Sequence, residues 1–324
     1  MSTYTQLFPP APSFTEKNLL DLSSKVYLIT GATSGIGLAL AKTLYTLHAT
    51  VYIGSRSLSS YTTAAKTLTS SCPDSKGTFK PFIADLADLK TIKPAVDAFL
   101  KEEYRLDVLF LNAGVMTPPA GSKTENGFDV ELGINCLAPF LLTTLLLPLM
   151  QNVASHFCHP NASIRVVWVS SMLNLRTPTG GLSGMEHYMQ SKAGAYLLAH
   201  EFGQRSSQAQ KTSSPSPSKS QNPHGVLHVS LNPGFLKTNL QRHAPPPMRG
   251  LMGTVFKGPK YGAYTELYAG LAPDVHQSDF IIPWGRKGGV PDHLSASTKV
   301  AEEGLKSVSA RFYDWCEEQV RPFM

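Results

Sequence analysis

The chain has 324 residues, of which 42% are hydrophobic and 16% are charged. This composition is typical of a globular protein with enough length for a large core, and it excludes a disordered or fibrous chain. The formal net charge is +6, but no more than two basic residues stand in succession. Scattered basic residues argue against a nucleic-acid partner and suit a phosphorylated cofactor.

The cysteines and the apolar segments indicate the compartment. No cysteine has CxxC or metal-ligand spacing, so we predict no metal site and expect free thiols in a reducing compartment. The opening stretch "MSTYTQLFPPAPSF" has no basic segment followed by an apolar run, so we expect no signal peptide and a cytoplasmic protein. The most apolar stretch, 140–150, contains a proline and is too short for a bilayer, which predicts a buried helix and no membrane span.

Strands and helices alternate after a proline-containing lead-in at 1–20. Strands are predicted at "KVYLIT", "ATVYIGSR", "FKPFIADL", "LDVLFLNAGV", "SIRVVWVSS" and "LHVSLNPG", and helices at "GLALAKTLYTLH", "YTTAAKTLTSS", "LKTIKPAVDAFLKEEY", 126–152 and "EHYMQSKAGAYLLAHEF". Short apolar strands between helices predict an α/β protein with a doubly wound parallel sheet. We expect one domain over 21–324, in which 235–324 covers the substrate.

One segment departs from this alternation. Residues 205–225, "RSSQAQKTSSPSPSKSQNPHG", are rich in Ser, Pro and Lys and contain almost nothing apolar. Such a segment cannot bury enough surface to offset its ordering entropy, so a flexible insertion is predicted. A plain surface loop and a docking or phosphorylation segment both stay open.

A glycine-rich turn follows the first strand. "LITGATSGIGLALA" places Gly31, Gly35 and Gly37 between a strand and a helix. Glycines at this point let the backbone turn tightly and approach a pyrophosphate, which the helix N-terminus stabilises. The spacing differs from the common G-x-G-x-x-G fingerprint, and a plain tight turn is the alternative.

The end of the second strand bears on cofactor choice. A carboxylate at this position would hold the adenosine ribose hydroxyl and repel a 2′-phosphate. This chain has Ser55 followed by Arg56, whose guanidinium can bind a phosphate in bidentate fashion. We therefore predict NADP(H) rather than NAD(H), with a solvated Arg56 as the alternative.

Tyr188 and Lys192 lie four residues apart, so a helix would place them on one face. Together with "TGATSGIG", "LNAG", the strand ending "VSS" and "NPGFLKT", the segment "YMQSK" resembles the short-chain dehydrogenase/reductase family, which has a Rossmann fold. The resemblance covers about 24 to 240, with the motifs in the family's order. The later "IIPWGRKG" and "FYDWCEEQV" look similar to C-terminal segments of fungal, retinol-dehydrogenase-like members.

The resemblance implies a role for each matching residue. Tyr188 would be the general acid/base, Ser171 would bind the substrate oxygen, and Asn135 would hold a water that links Lys192 to solvent. Lys192 would bind the nicotinamide ribose and lower the pKa of the tyrosine. Implied cofactor contacts, with those from the turn and strand ends, are Gly31, Thr33, Ser34, Gly35, Ile36, Gly37, Ser55, Arg56, Asp85, Leu86, Asn112, Ala113, Gly114, Tyr188, Lys192, Pro233, Gly234 and Thr238.

The chemistry supports these roles. Reduction of a carbonyl needs a proton on oxygen, and a free tyrosine, with a pKa of about 10, is a poor match to neutral pH. A nearby ammonium and an oxidised nicotinamide both favour the phenolate. Ser171 is preferred to Ser170, although adjacent strand residues face opposite ways.

The expected substrate is a small lipophilic ketone, aldehyde or alcohol, in the setting of secondary metabolism. Apolar and aromatic residues in 235–290 would form its cleft, with ordinary core as the alternative: Phe235, Leu236, Met248, Leu251, Met252, Phe256, Tyr261 and Trp284. Two other function classes stay open, a catalytically silent dinucleotide sensor or scaffold and a protein that docks through its basic insertion. A homodimer is also left open.

Overall fold

The computed structural model describes residues 3–156, 164–175, 184–213, 225–238, 240, 256–300 and 305–324. The strands of this part of the chain are β1 (Val26–Ile29), β2 (Thr50–Ser55), β3 (Thr78–Ile83), β4 (Val108–Leu111), β5 (Ile164–Val169), β6 (Val226–Leu231), β7 (Phe280–Ile282) and β8 (Arg286–Gly288). They form one sheet in the order β3-β2-β1-β4-β5-β6-β7-β8. All neighbouring strands are parallel except β7 and β8, which confirms the predicted doubly wound sheet.

Helices cover both faces of this sheet. They are α1 (Thr3–Leu7), α2 (Gly35–Thr46), α3 (Leu58–Ser71), α4 (Ile92–Glu102), α5 (Val130–Leu132), α6 (Ala138–His156), α7 (Gly184–Ser213), α8 (Pro259–Leu271), α9 (Asp292–Ser297) and α10 (Val308–Val320). Short 3₁₀ turns lie at Glu16–Asn18, Leu89–Thr91, Met172–Leu175 and Arg321–Phe323.

The strands are buried on both faces, as their continuous apolar runs require. Alternate residues of each strand contribute to two cores. Leu28 and Leu109 pack with helices α4, α6 and α10 on one face, while Ile29 and Phe110 pack with α2 and α8 on the other. This arrangement fixes the strand ends, and with them the turns that form the site.

The apolar helix predicted near 140–150 is buried between the sheet and α10. The helical run Val130–His156 is long and apolar enough to cross a membrane by length and composition, and 61% of its most apolar window is buried inside the protein. The ring centroid of Phe140 lies 5.0 Å from that of Phe202 and 4.8 Å from that of Tyr313. The apolar face of this helix is therefore a packing surface of the core.

The start of this helical run differs from the predicted 126–152. Helix begins only at α5, because the Asp129 carboxylate caps it by accepting hydrogen bonds from the backbone N–H groups of Glu131 (2.9 Å) and Leu132 (3.0 Å). Between α5 and α6 the chain forms a π-helical turn, Gly133–Leu137. Such turns are rare and often lie at functional sites.

The predicted insertion 205–225 is partly wrong, because α7 continues to Ser213. The Arg205 guanidinium bonds to Glu201 (3.0 Å) and Asp314 (2.7 Å) and lies 3.7 Å from the Tyr313 ring centroid. These contacts join α7 to α10 and stabilise the extra helical turns. Residues 214–224 of that prediction lie outside the described residues.

The described part of the lead-in, from residue 3, docks onto the end of the sheet. In α1 the Gln6 side chain is buried and its Oε1 accepts a hydrogen bond of 3.1 Å from Asn232 Nδ2, at the end of β6. The Arg286 guanidinium donates to the backbone oxygen of Thr5 at 2.6 Å. The first residues thus contact the loop that leads from β6 into the site.

Candidate active site

A cavity of about 830 Å³ opens at the carboxyl ends of the parallel strands. This is the edge at which open α/β sheets bind ligands. All the site residues predicted from the sequence line this cavity except Gly37 and Asn135, which lie directly behind its wall. The fold therefore brings the turn after β1, the ends of β2 to β6 and helix α7 to one place.

The glycine-rich turn approaches the cavity with its backbone. Gly31 and Gly35 have φ angles of +66° and +57°, which favour glycine. A Cβ on Gly37 would lie 2.6 Å from Asn112 Nδ2 and 2.8 Å from the Gly31 oxygen, so no side chain fits there. Ser34 stands at the N-cap of α2 without a side-chain cap. A bare helix N-terminus beside a glycine turn fits the pyrophosphate of a dinucleotide.

Two further strand ends complete this half of the cavity. The Asn112 amide donates to the Thr30 backbone oxygen at 2.8 Å, and the Ala113 N–H donates to Thr30 Oγ1 at 3.0 Å. The end of β4 is thereby fixed to the end of β1. Thr30 was not among the predicted residues, although it is the last residue of "YLIT" before the glycine turn.

The residues after β2 carry no carboxylate toward the cavity. Ser55 is buried and its hydroxyl donates to the Ser57 oxygen at 2.7 Å, while Arg56 is exposed at the cavity rim. Asp85, after β3, accepts a hydrogen bond of 2.9 Å from the Ala87 N–H through Oδ1. The adenosine end of the cavity thus combines the Arg56 cation with the Asp85 carboxylate, which already accepts a hydrogen bond from its own loop.

Tyr188, Lys192 and Ser171 meet at the opposite end of the cavity. Tyr188 and Lys192 lie on α7 with only 4% of each residue exposed, and Lys192 Nζ is 5.9 Å from the Tyr188 ring centroid. Lys192 Nζ also donates to the Val169 oxygen at 2.9 Å. The Ser171 hydroxyl forms a hydrogen bond with the Tyr188 phenol that favours the phenolate.

Burial determines the protonation of both α7 residues. It raises the pKa of Tyr188 to about 12, against a smaller lowering by the Ser171 hydrogen bond. It lowers the pKa of Lys192 to about 8. The expected lowering of the tyrosine pKa is thus not present in the protein alone, because desolvation of the phenolate outweighs its neighbours.

Ser170 and Ser171 point to different partners. The Ser170 hydroxyl is buried and donates to the Lys192 backbone oxygen at 2.7 Å. Ser171 Oγ accepts from the Leu173 N–H at 3.1 Å and reaches Tyr188. The structure therefore places Ser171 beside the phenol and gives Ser170 a structural bond to helix α7.

Asn135 lies in the π-helical turn behind Gly114. Its amide accepts from the Val115 N–H (3.0 Å) and donates to the Val115 oxygen (3.1 Å) and to Ser191 Oγ (2.8 Å). A Cβ on Gly114 would meet both Asn135 Oδ1 and Lys192 Nζ at 3.1 Å. Asn135 thus holds the loop after β4 against the residue that precedes Lys192.

Apolar side chains line part of the cavity. Phe235, Leu236 and Phe256 lie in the wall, and the rings of Phe235 and Phe256 are 5.1 Å apart. Tyr261 and Trp284 pack on each other at 5.0 Å outside the cavity lining. Met248, Leu251 and Met252 lie outside the described residues. Further apolar lining residues were missed, because no motif marks their positions, among them Met116, Met172, Leu173 and Met185.

Two buried carboxyl groups near Lys192 were also missed. Glu131 is 2% exposed, and burial raises its pKa. Glu266 on α8 is fully buried, and burial raises its pKa to about 8. Neither of its oxygens has a hydrogen-bond partner among the described residues. Sequence offers one signal for such groups, an acidic residue inside an otherwise apolar helical face.

Known proteins resemble this chain in sequence and in fold. The sequence profile of the short chain dehydrogenases matches residues 25–248. A short-chain dehydrogenase/reductase of Phomopsis amygdali is 38% identical over 340 aligned residues, covering 100% of this chain and 97% of the relative. The RhlG/NADP active-site complex of Pseudomonas aeruginosa has a TM-score of 0.62 at 22% identity and covers 84% of this chain and 97% of its own.

A second solved structure is a complex with a different cofactor. The 3-ketoacyl-(acyl-carrier-protein) reductase of Brucella melitensis complexed with NADH has a TM-score of 0.61 at 20% identity, over 82% of this chain and 98% of its own. At such identities the solved structures show the fold. The profile and the Phomopsis relative show the family: the chain belongs to the short-chain dehydrogenases. It is an oxidoreductase of a family that binds a nicotinamide dinucleotide and acts on small molecules.

Proposed function

We propose that the protein is an NADP(H)-dependent oxidoreductase that interconverts a small lipophilic ketone or aldehyde and its alcohol. The observation that carries this proposal is the placement of Ser171, Tyr188 and Lys192 side by side at one end of a cavity whose other end is a glycine-rich turn. Relatives from fungi support a role in secondary metabolism. We propose a cytoplasmic location on the grounds given for the sequence.

Tyr188 is the proton donor in reduction and the proton acceptor in oxidation. With a pKa of about 12 in the protein alone, the phenol keeps its proton at neutral pH and is ready to donate it to a carbonyl oxygen. The Ser171 hydroxyl beside it donates a hydrogen bond to the same oxygen as charge develops there. When bound, the nicotinamide supplies or accepts the hydride, a step that no protein side chain provides.

Lys192 couples the two ends of the cavity. Its ammonium is buried, and its pKa of about 8 leaves most of it charged at neutral pH. Placed beside the phenol, that charge favours the phenolate in the oxidation direction. Nζ donates one hydrogen bond, to Val169, and has further donors for ribose hydroxyl groups.

The preference for NADP(H) rests on Arg56. The Arg56 guanidinium lies at the cavity rim, and Ser55 stands at the end of β2 where a carboxylate would select NAD(H). The buried Ser55 hydroxyl donates a hydrogen bond to the Ser57 oxygen. A 2′-phosphate would meet a cation there, which favours binding.

The substrate class is supported by the apolar part of the cavity wall. Its lining includes Met116, Met172, Leu173, Phe235 and Phe256. Apolar and aromatic side chains that surround a few polar groups are typical of sites for lipophilic ligands. The two hydroxyl groups that converge on the reacting oxygen, those of Ser171 and Tyr188, then decide its orientation.

The test is consumption of NADPH with a panel of lipophilic ketones and aldehydes, with the alcohol product identified by mass spectrometry. We expect turnover with at least one apolar carbonyl compound and equal amounts of NADP⁺ and alcohol. Polar sugars and hydroxy acids in the same panel serve as controls. If the protein binds NADPH tightly but turns over none of the compounds, the proposed enzymatic function is contradicted and the catalytically silent sensor is favoured.

A further inference from the structure

The segment that follows β4 forms part of the cavity wall and has an unusual backbone. Val115 and Met116 line the cavity, and Thr117 has a φ angle of +44°, a region that a β-branched residue rarely adopts. Such a conformation persists only where the surroundings hold it. The contacts that hold this segment therefore shape the wall beside Tyr188.

Two side chains from one helical turn hold this segment. Asn135 binds both the N–H and the oxygen of Val115. Glu131, four residues earlier, accepts the Thr117 N–H at 2.7 Å through Oε1. Because residues four apart stand above one another on a helix, the two side chains act as successive contacts on the same strip of backbone.

Glu131 also interacts with titratable groups of α7. His187, Tyr188 and Lys192 of α7 all interact electrostatically with its carboxyl group. On its own side lies Asp129, whose carboxylate is 3.7 Å from His187 Nδ1. Lys123, whose backbone pairs with that of Asp129, is exposed. No titratable side chain lies in the clamped segment 115–117 itself.

We propose that Glu131 is a positioning residue that, together with Asn135, holds the segment 115–117 as a wall of the reaction cavity and sets the electrostatic environment of Lys192 and Tyr188. This inference rests on the proposed function for its consequence in catalysis, but the clamp itself is a property of the folded chain. The carboxylate favours the charged form of Lys192 and the neutral form of Tyr188. Both are the forms that carbonyl reduction needs.

The clamp is tested without cofactor or substrate, by hydrogen exchange and mass spectrometry of the peptide that contains 115–117 in the full-length protein. Glu131→Ala removes the acceptor of the Thr117 N–H, so its exchange should become about tenfold faster or more. Glu131→Gln retains a side-chain oxygen and should stay within about threefold of wild type. Unchanged exchange in Glu131→Ala would overturn the clamp.

The electrostatic part is tested by the affinity for NADPH between pH 7 and pH 10, from quenching of protein fluorescence. Affinity in the wild type should fall as Lys192 loses its proton, near pH 8. In Glu131→Gln the midpoint should lie lower by about half a pH unit, because an anion near the ammonium is gone. Glu125→Gln, an exposed acid in the loop before α5, should show no shift.

The outcomes separate this inference from the function that it extends. Coincident midpoints for wild type and Glu131→Gln would overturn the electrostatic role while NADPH binding stands. A wild-type protein that does not bind NADPH would contradict the proposed cofactor, and the exchange experiment would then decide the clamp alone. A Glu131→Ala variant that fails to fold would leave Glu131→Gln as the test through its pH midpoint.

Discussion

The two halves of the cavity differ in whether backbone atoms or side chains form their surface. The cofactor half consists of short turns after β1, β2 and β4, in which backbone atoms, glycines and side-chain-to-backbone bonds form the surface. The other half consists of side chains from segments far apart in the sequence, such as Met116, Met172, Tyr188 and Phe256. The first half should therefore tolerate little change at its glycines, and the second should accept many apolar substitutions, except at the residues that touch the reacting oxygen.

The largest expected effect is the loss of turnover when Tyr188 is replaced. Tyr188→Phe keeps the ring and removes the proton, so turnover should fall by about 10²–10⁴-fold, measured as kcat/KM with NADPH and the carbonyl compound identified in the panel. The affinity for NADPH should change little. Tyr196→Phe is the matched control, since Tyr196 lies on the same helix, packs against Phe280 and does not line the cavity. Near-wild-type turnover by Tyr188→Phe would refute the assigned role.

The next effect concerns the adenosine end of the cofactor half. Ser55→Asp combined with Arg56→Ala removes a cation and adds an anion where a 2′-phosphate would bind. A charge-assisted bond to that phosphate is worth roughly 1.5–3 kcal/mol, or about one to two decades of affinity. Wild type should prefer NADPH by about tenfold or more, and the double variant should prefer NADH. Equal affinity of wild type for both cofactors, at fixed ionic strength, would contradict the role of Arg56.

A smaller effect tests whether the cofactor half depends on the close packing of the glycine-rich turn. In Gly37→Ala the added methyl would lie 2.6 Å from Asn112 Nδ2, which now bonds to Thr30. Displacing Asn112 should cost about 1–3 kcal/mol of stability, as overpacking does, and weaken NADPH binding by about tenfold. Gly289→Ala, where a Cβ meets open space, is the control. Equal denaturation midpoints and affinities for the two variants would show that the turn can relax.

The same contrast explains what could be predicted from the sequence. The sheet, the glycine turn and the pair on α7 follow from local patterns, since period, glycine spacing and a four-residue separation are visible in the chain. The strands β7 and β8 were missed, because three-residue strands give too short a pattern. The helix through 205–213 was missed because its stability comes from the contact of Arg205 on α7 with Tyr313 and Asp314 on α10, which composition does not reveal.

The site shows the same limit. Side chains that act through packing, such as Met172 and Met185, and buried acids, such as Glu131 and Glu266, acquire their properties only from the tertiary surroundings. The pKa of Tyr188 differed from expectation for this reason as well, since burial was not visible beside its motif. The sequence predicted the position of a site residue where a single segment determines that position. It did not predict the burial of the residue or its pKa.

The smallest expected effect concerns α8, the helix on which both halves rest. Its Gly262 packs against Ile36 of the cofactor half and Leu236 of the other. One turn further on, Glu266 is fully buried with no hydrogen-bond partner among the described residues. A carboxyl group in such a place is stable only as the neutral acid.

Because the pKa of Glu266 rises from its usual 4.5 to about 8 on folding, the folded protein binds more protons than the unfolded chain between these values. Stability is therefore lost as pH rises from about 5 to 8. Glu266→Gln removes the ionisation and should raise the melting temperature at pH 8 by at least about 2 °C, with a smaller gain at pH 5. Calorimetry at both pH values measures this, with the exposed Glu318→Gln as control. An equal gain at pH 5 and pH 8 would show that the pKa of Glu266 is not raised in the fold, and a loss at pH 8 would show that the carboxylate is stabilised there. In the second case Lys192 would be the cationic group that interacts with it.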